Sequence, residues 1–120
     1  MSETKVRNKI FKHIGGRRDC RLFRNNCGLA KYPDGSRVKY GVCNPGGSDL
    51  IGWRSVTVTP DMIGDRVAVF LAIETKAAKK KPSKKQQNFI NQIKAAGGLA
   101  GSAKSVIEAL NIVDLPGERI

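Results

Sequence analysis

The stretch from Arg66 to Lys76, RVAVFLAIETK, limits the possible folds more than any other part of this chain. Its middle is an unbroken apolar run with charge at both ends. Such a run predicts a strand covered on both faces, as in the interior of an α/β sheet. Glu74 and Lys76 close it, and at a spacing of two they share one face of a strand, with Ile73 and Thr75 turned to the other. Ionised groups at the end of an apolar strand are costly unless they are paired, hydrated or bound to a metal.

The segments around this strand alternate between helical and extended patterns. Glu3 to Ile14 places Val6, Ile10, Phe11 and Ile14 on one helical face, with Ser2 as cap and Gly15-Gly16 as stop. Short strands are predicted at Cys20 to Arg24, Arg37 to Cys43 and Ser48 to Trp53. They are separated by Asn25-Asn26 with Gly28, by Pro33-Asp34-Gly35 and by Asn44-Pro45-Gly46-Gly47. After the long strand comes a basic loop, AAKKKPSKK, and a helix capped by Ser83 with Phe89, Ile90 and Ile93 on its apolar face. Leu99 to Ala103 is a weak strand because Gly101 and Ser102 interrupt it, and Ser105 caps a short helix, Val106 to Leu110. Residues 111–120 read as a loose tail. The order α-β-β-β-β-α-β-α predicts one domain over residues 1–120, a mixed sheet flanked by helices.

Charge narrows the partner. Twenty-two Lys and Arg face 10 Asp and Glu, for a net charge of +12. A self-repelling excess of this size suits a polyanion, and nucleic acid is the first candidate because phosphate contacts release counterions. An anionic membrane is a poorer match, since no long apolar span or basic amphipathic anchor is present. Cys20, Cys27 and Cys43 contain no C-x-x-C pair, and His13 is the sole histidine, which argues against zinc and against Ser-His-Asp or Cys-His catalysis. Free thiols and a polar start predict a reduced, intracellular setting.

Asp49 follows the Gly46-Gly47 turn and opens its own strand. Together, Asp49 and Glu74 offer the hard carboxylate oxygens that Mg²⁺ or Mn²⁺ prefers. Lys76 beside them would orient or deprotonate a water, or steady a negative transition state. E-x-K by itself most often marks an ordinary solvated strand end. Its position after an apolar strand, together with Asp49 and the basic composition, raises the metal-site reading.

GSDLIG, FLAIETK, the basic loop and SKKQQNF, read in order, resemble the VRR-NUC domain, a virus-type replication-repair nuclease within the PD-(D/E)xK superfamily. The resemblance runs from about Glu3 to Leu110 and includes RLFRNNCG and GGLAGSAKSVIEAL. It implies an α/β, restriction-endonuclease-like core with a central mixed sheet. It also implies hydrolysis of DNA phosphodiesters with Mg²⁺ or Mn²⁺ and no organic cofactor. By the same resemblance Asp49 and Glu74 are the metal carboxylates and the Thr75 carbonyl is a backbone ligand. Lys76 is the catalytic lysine, Gln86 is the helix glutamine near the site, and Glu3 matches an acidic residue of the first helix. The family's V-R-R-type stretch here reads Ala103-Lys104-Ser105, with lysine where arginine is common. Small stand-alone members resemble Holliday-junction resolvases, which implies a homodimer acting on four-way junctions, in the cytoplasm of a bacterial host and encoded by a phage or prophage.

Lys79, Lys80, Lys81, Lys84 and Lys85 follow the catalytic strand closely, which favours phosphate contact over a merely solvated loop. Arg17, Arg18, Arg21 and Arg24 either contact DNA backbone or face solvent, and Lys104 keeps the charge expected near the last strand. Trp53 reads as core or interface in preference to a base-stacking platform. The rival functions are a flap-type or non-specific nuclease with the same site, a basic nucleic-acid-binding protein without catalysis, and a membrane-surface or ribosome-associated protein.

Overall fold

The computed structural model describes residues 2–114. The chain divides into two compact units, Met1–Val56 and Thr57–Ile120. The final six residues of the expected loose tail, 115–120, lie outside the described residues.

In the first unit, α1 spans Glu3–Gly15, with the Ser2 hydroxyl accepting from the Lys5 amide as its cap. The N-cap residue satisfies one of the amides that a helix start leaves without a partner. Strands β1 (Cys20–Arg24) and β4 (Leu50–Arg54) pair antiparallel, with Leu22 opposite Gly52 and Phe23 opposite Ile51. A side chain at Gly52 would collide with the Arg21 carbonyl, so glycine is what permits this approach. Leu22 lies on the side of β1 that meets α1, next to Gly15.

The same unit holds a strand that the sequence pattern does not announce. Gly28–Lys31 forms β2 and pairs antiparallel with β3, Arg37–Tyr40. Pro33-Asp34-Gly35 supplies the hairpin turn between them, with Asp34 accepting from the amide and hydroxyl of Ser36. Those bonds hold the Asp34 carboxyl below its ordinary value. The strand expected to reach Cys43 stops at Tyr40, because Gly41 and Cys43 take left-handed backbone conformations that a strand cannot continue through.

In the second unit, β5 (Leu71–Thr75) pairs parallel with β6 (Leu99–Ala103). Helix α2 (Lys84–Ala95) makes the crossover between them, and α3 (Val106–Val113) follows. Among the described residues the buried apolar core is Ile90, Ile93, Ala100 and Ala103, all in this unit. Ile93 packs where Gly98 leaves space, and Ile112 of α3 packs over Gly101. The glycine that weakens Leu99 to Ala103 as a sequence pattern is therefore what lets α3 sit close.

Three expectations are corrected. The strand over Arg66 to Lys76 shortens to Leu71–Thr75, because its partner β6 begins only at Leu99 and the ladder has nothing earlier to bond to. Its run is not covered on both faces: Val67, Val69 and Leu71 are 45–56% exposed. Helix α3 continues to Val113, so residues 111–113 are helical and do not belong to a loose tail. Among the described residues the strands form three two-stranded sheets, two in the first unit and one in the second, a mixed α/β arrangement.

Candidate active site

Glu74 and Lys76 emerge from the C-terminal end of β5, the end of a parallel pair at which α/β proteins place their chemistry. Their shared face brings Lys76 Nζ to 3.3 Å from Glu74 Oε1. The same oxygen accepts a 2.9 Å hydrogen bond from Gln86 Nε2. Gln86 stands on the α2 face that also buries Ile90 and Ile93, at spacings of four and seven, so core packing aims it at β5. Its other amide atom is also committed. Gln86 Oε1 accepts from the Ser83 amide at 2.9 Å, while Ser83 Oγ accepts from the Gln86 amide, completing a capping box. One side chain thus closes the helix start and orients Glu74.

Both partners converge on Oε1, and among the described residues none engages Glu74 Oε2. The Lys76 amide donates to the Ala103 carbonyl at 3.0 Å. A trans peptide sets the preceding carbonyl opposite that N–H, so the Thr75 carbonyl points away from β6. A half-buried carboxylate oxygen and a backbone carbonyl are the hard oxygen donors a divalent cation takes, while the adjacent ammonium group is suited to an anion or a water.

Asp49 belongs to the first unit. Asn25 fixes the turn that delivers it: the Asn25 side chain donates to the carbonyls of Val42 (2.9 Å) and Ser48 (3.1 Å) and accepts from the Val42 amide (2.8 Å). Its backbone amide also donates to the Asp49 carbonyl at 2.8 Å. Gly47 has no room for a side chain beside the Val42 carbonyl. In the sequence pattern Asn25 marks only a strand interruption, although an asparagine between strand and turn is the residue type that bonds local backbone. The Asp49 carboxylate is exposed and lines a cavity of about 350 Å³ together with Glu3, Val6, Arg7, Ile10 and Leu50. Glu3 and Asp49 thus line one cavity. Among the described residues no group of three or more His, Cys, Asp or Glu side chains gathers as a metal site.

The basic residues divide into several settings. Lys79, Lys80 and Lys81 are exposed in the loop after β5, and Lys84 and Lys85 occupy the first turn of α2. Cations there oppose the helix dipole, and that first turn carries no acidic residue, so an anionic partner would relieve the arrangement. Lys104 follows β6 at the same end of the parallel pair as Lys76, and its amide donates to Glu108. The arginines do not form one patch. Arg17 makes a bidentate pair with Asp19 at 2.9 and 2.6 Å. Arg54 lies 3.4 Å from the same carboxylate. The Arg17 hydrogen bond pulls the Asp19 carboxyl down to about 2. Arg21 lies over Phe23 and Trp53, while Arg24 projects to the other face of β1, and Arg18 is exposed.

No helix among the described residues is long and apolar enough to cross a membrane. Comparison with curated proteins and with solved structures returns no match. The family model of the VRR-NUC domain matches residues 7–106, from the cavity-lining turn of α1 through β5, α2 and β6 to the start of α3. The chain therefore belongs to the VRR-NUC domain family of nucleases, whose substrate is DNA.

Proposed function

We propose that this nuclease is an Mg²⁺- or Mn²⁺-dependent endodeoxyribonuclease that resolves four-way DNA junctions as a homodimer. The observation that carries the metal-dependent reading is the arrangement at Glu74, with Oε1 fixed by Gln86 and Lys76 and Oε2 left open among the described residues. Asp49 and Glu74 are assigned as carboxylate ligands, the Thr75 carbonyl as a backbone ligand, and Lys76 and Gln86 as catalytic side chains. A bound divalent ion would neutralise charge on the scissile phosphate and lower the pKa of the attacking water. Lys76 orients that water and stabilises the pentacoordinate phosphorane-like charge through its ammonium group. Gln86 keeps the Glu74 carboxylate from rotating. The lysines of the loop and of the first turn of α2 hold the flanking phosphates.

Symmetric cuts on a four-way junction need two sites related by a dyad, and a chain with one set of site residues meets that need by twofold pairing. Incubation of the protein with labelled four-way junction, flap and plain duplex, each in Mg²⁺, Mn²⁺ or EDTA, tests the reading. Junction cleavage that exceeds duplex cleavage at least roughly tenfold and stops in EDTA is the expected result. Equal cutting of all three substrates removes the resolvase assignment and leaves a non-specific nuclease. Preference for the flap replaces it with the flap-type activity.

A further inference from the structure

Arg7 lies one turn after Glu3 on α1 and lines the same cavity as Glu3 and Asp49. Its Nε is buried and has no hydrogen-bond partner among the described residues. Neither carboxylate of the cavity forms an ion pair with it among those residues. A desolvated guanidinium N–H without an acceptor is an unfavourable state, and such a group marks a place for an acceptor to enter. Val6, Ile10 and Leu50 supply the apolar part of the lining, which strengthens any charge-assisted hydrogen bond made there.

We propose that Arg7 binds a non-bridging oxygen of a DNA phosphodiester inside this cavity through its guanidinium group. The inference rests on the nuclease reading and adds a phosphate-binding residue to it. The two carboxylates outnumber the one guanidinium, so a phosphate enters only when a divalent cation offsets them. Arg7 therefore contributes to DNA affinity in the presence of the metal and not in EDTA.

The test measures binding of a labelled four-way junction by Lys76→Ala, which keeps the DNA intact, and by the same chain carrying Arg7→Gln or Arg7→Lys. In Mg²⁺, Arg7→Gln is expected to weaken binding roughly tenfold, the scale of one charge-assisted hydrogen bond. It should also flatten the slope of log affinity against log salt by about 0.9, the loss of one phosphate contact. Arg7→Lys should restore the slope but not the full affinity, because lysine keeps the charge and lacks the planar guanidinium fork. In EDTA the three proteins should bind alike. Equal affinity and slope in Mg²⁺ for the folded Arg7→Gln and parent proteins would overturn the inference. So would a melting-temperature rise with inorganic phosphate that Arg7→Gln loses while DNA affinity stays unchanged, since that marks a site for the free anion. Cleavage by the wild-type chain, run in parallel, separates the two claims: absent cleavage counts against the nuclease reading, whereas cleavage with an unaffected Arg7→Gln counts against Arg7 alone.

Discussion

Gln86 links stability and chemistry within one amide. Its oxygen serves the helix cap and its nitrogen serves Glu74, so the two roles are separable by substitution. Gln86→Glu keeps a capping-box acceptor but faces Glu74 with a second carboxylate. Its unfolding free energy should stay within about 0.5 kcal/mol of wild type, the usual range for a tolerated substitution, while junction cleavage falls by more than roughly tenfold. A matched thermal melt and cleavage assay checks both halves. Asp19 gives a pH prediction at the same scale. Arg17 lowers its carboxyl from the ordinary 3.8 to about 2, so the pair stabilises the fold above the unfolded-chain value, and that contribution is lost as pH falls through the folded one. The stability difference between wild type and Asp19→Asn should therefore shrink as pH falls from 5 towards 2, measured by denaturant midpoints; Arg17 is exposed and Asp19 nearly so, and the difference is small throughout.

At the scale of elements, the approach of β4 to β1 depends on Gly52, whose Cα faces the Arg21 carbonyl too closely for any side chain. Gly52→Ala should cost about 1–3 kcal/mol by forcing these strands apart, read from chemical denaturation. Because β4 carries the chain onward from Asp49, the loss should also lower cleavage in proportion to the unfolded fraction. The helices were legible in the sequence through their caps: Ser2, Ser83 and Ser105 each bond the amide that a cap is expected to bond. The strands were less so. Gly28–Lys31 is four residues of weak strand formers and acquires its identity only from pairing with β3. The length of β5 was overread because the apolar pattern of residues 66–76 records hydrophobicity, whereas a strand also needs a partner ladder, and β6 offers five residues. Glu74 and Lys76 were legible as a pair because the strand period puts them on one face, whereas Gln86 entered only through the resemblance to the VRR-NUC domain, its helix pattern alone giving an exposed residue. Arg7 and Asn25 were not, since an unpaired buried donor and a backbone-holding amide are properties of three-dimensional contact.

For the whole molecule, a net charge of +12 and a VRR-NUC match over residues 7–106 describe the same polyanion-directed chain from independent directions. The charge is distributed unequally in function. Arg17 is held by Asp19 and Arg21 lies against aromatic rings, whereas the exposed lysines from Lys79 to Lys85 follow the strand that presents Glu74 and Lys76. The account turns on Glu74 acting as a metal-binding carboxylate. The most direct measurement pairs cleavage of a labelled four-way junction in Mg²⁺ with binding of the same junction in EDTA, for wild type and for Glu74→Gln of verified fold. Cleavage should drop by at least roughly a hundredfold, since charge stabilisation at the phosphate is lost, while binding holds or tightens as a negative charge near phosphate is removed. Glu74→Gln protein that folds and cuts at the wild-type rate, or wild-type protein that cuts equally well in EDTA, would contradict it.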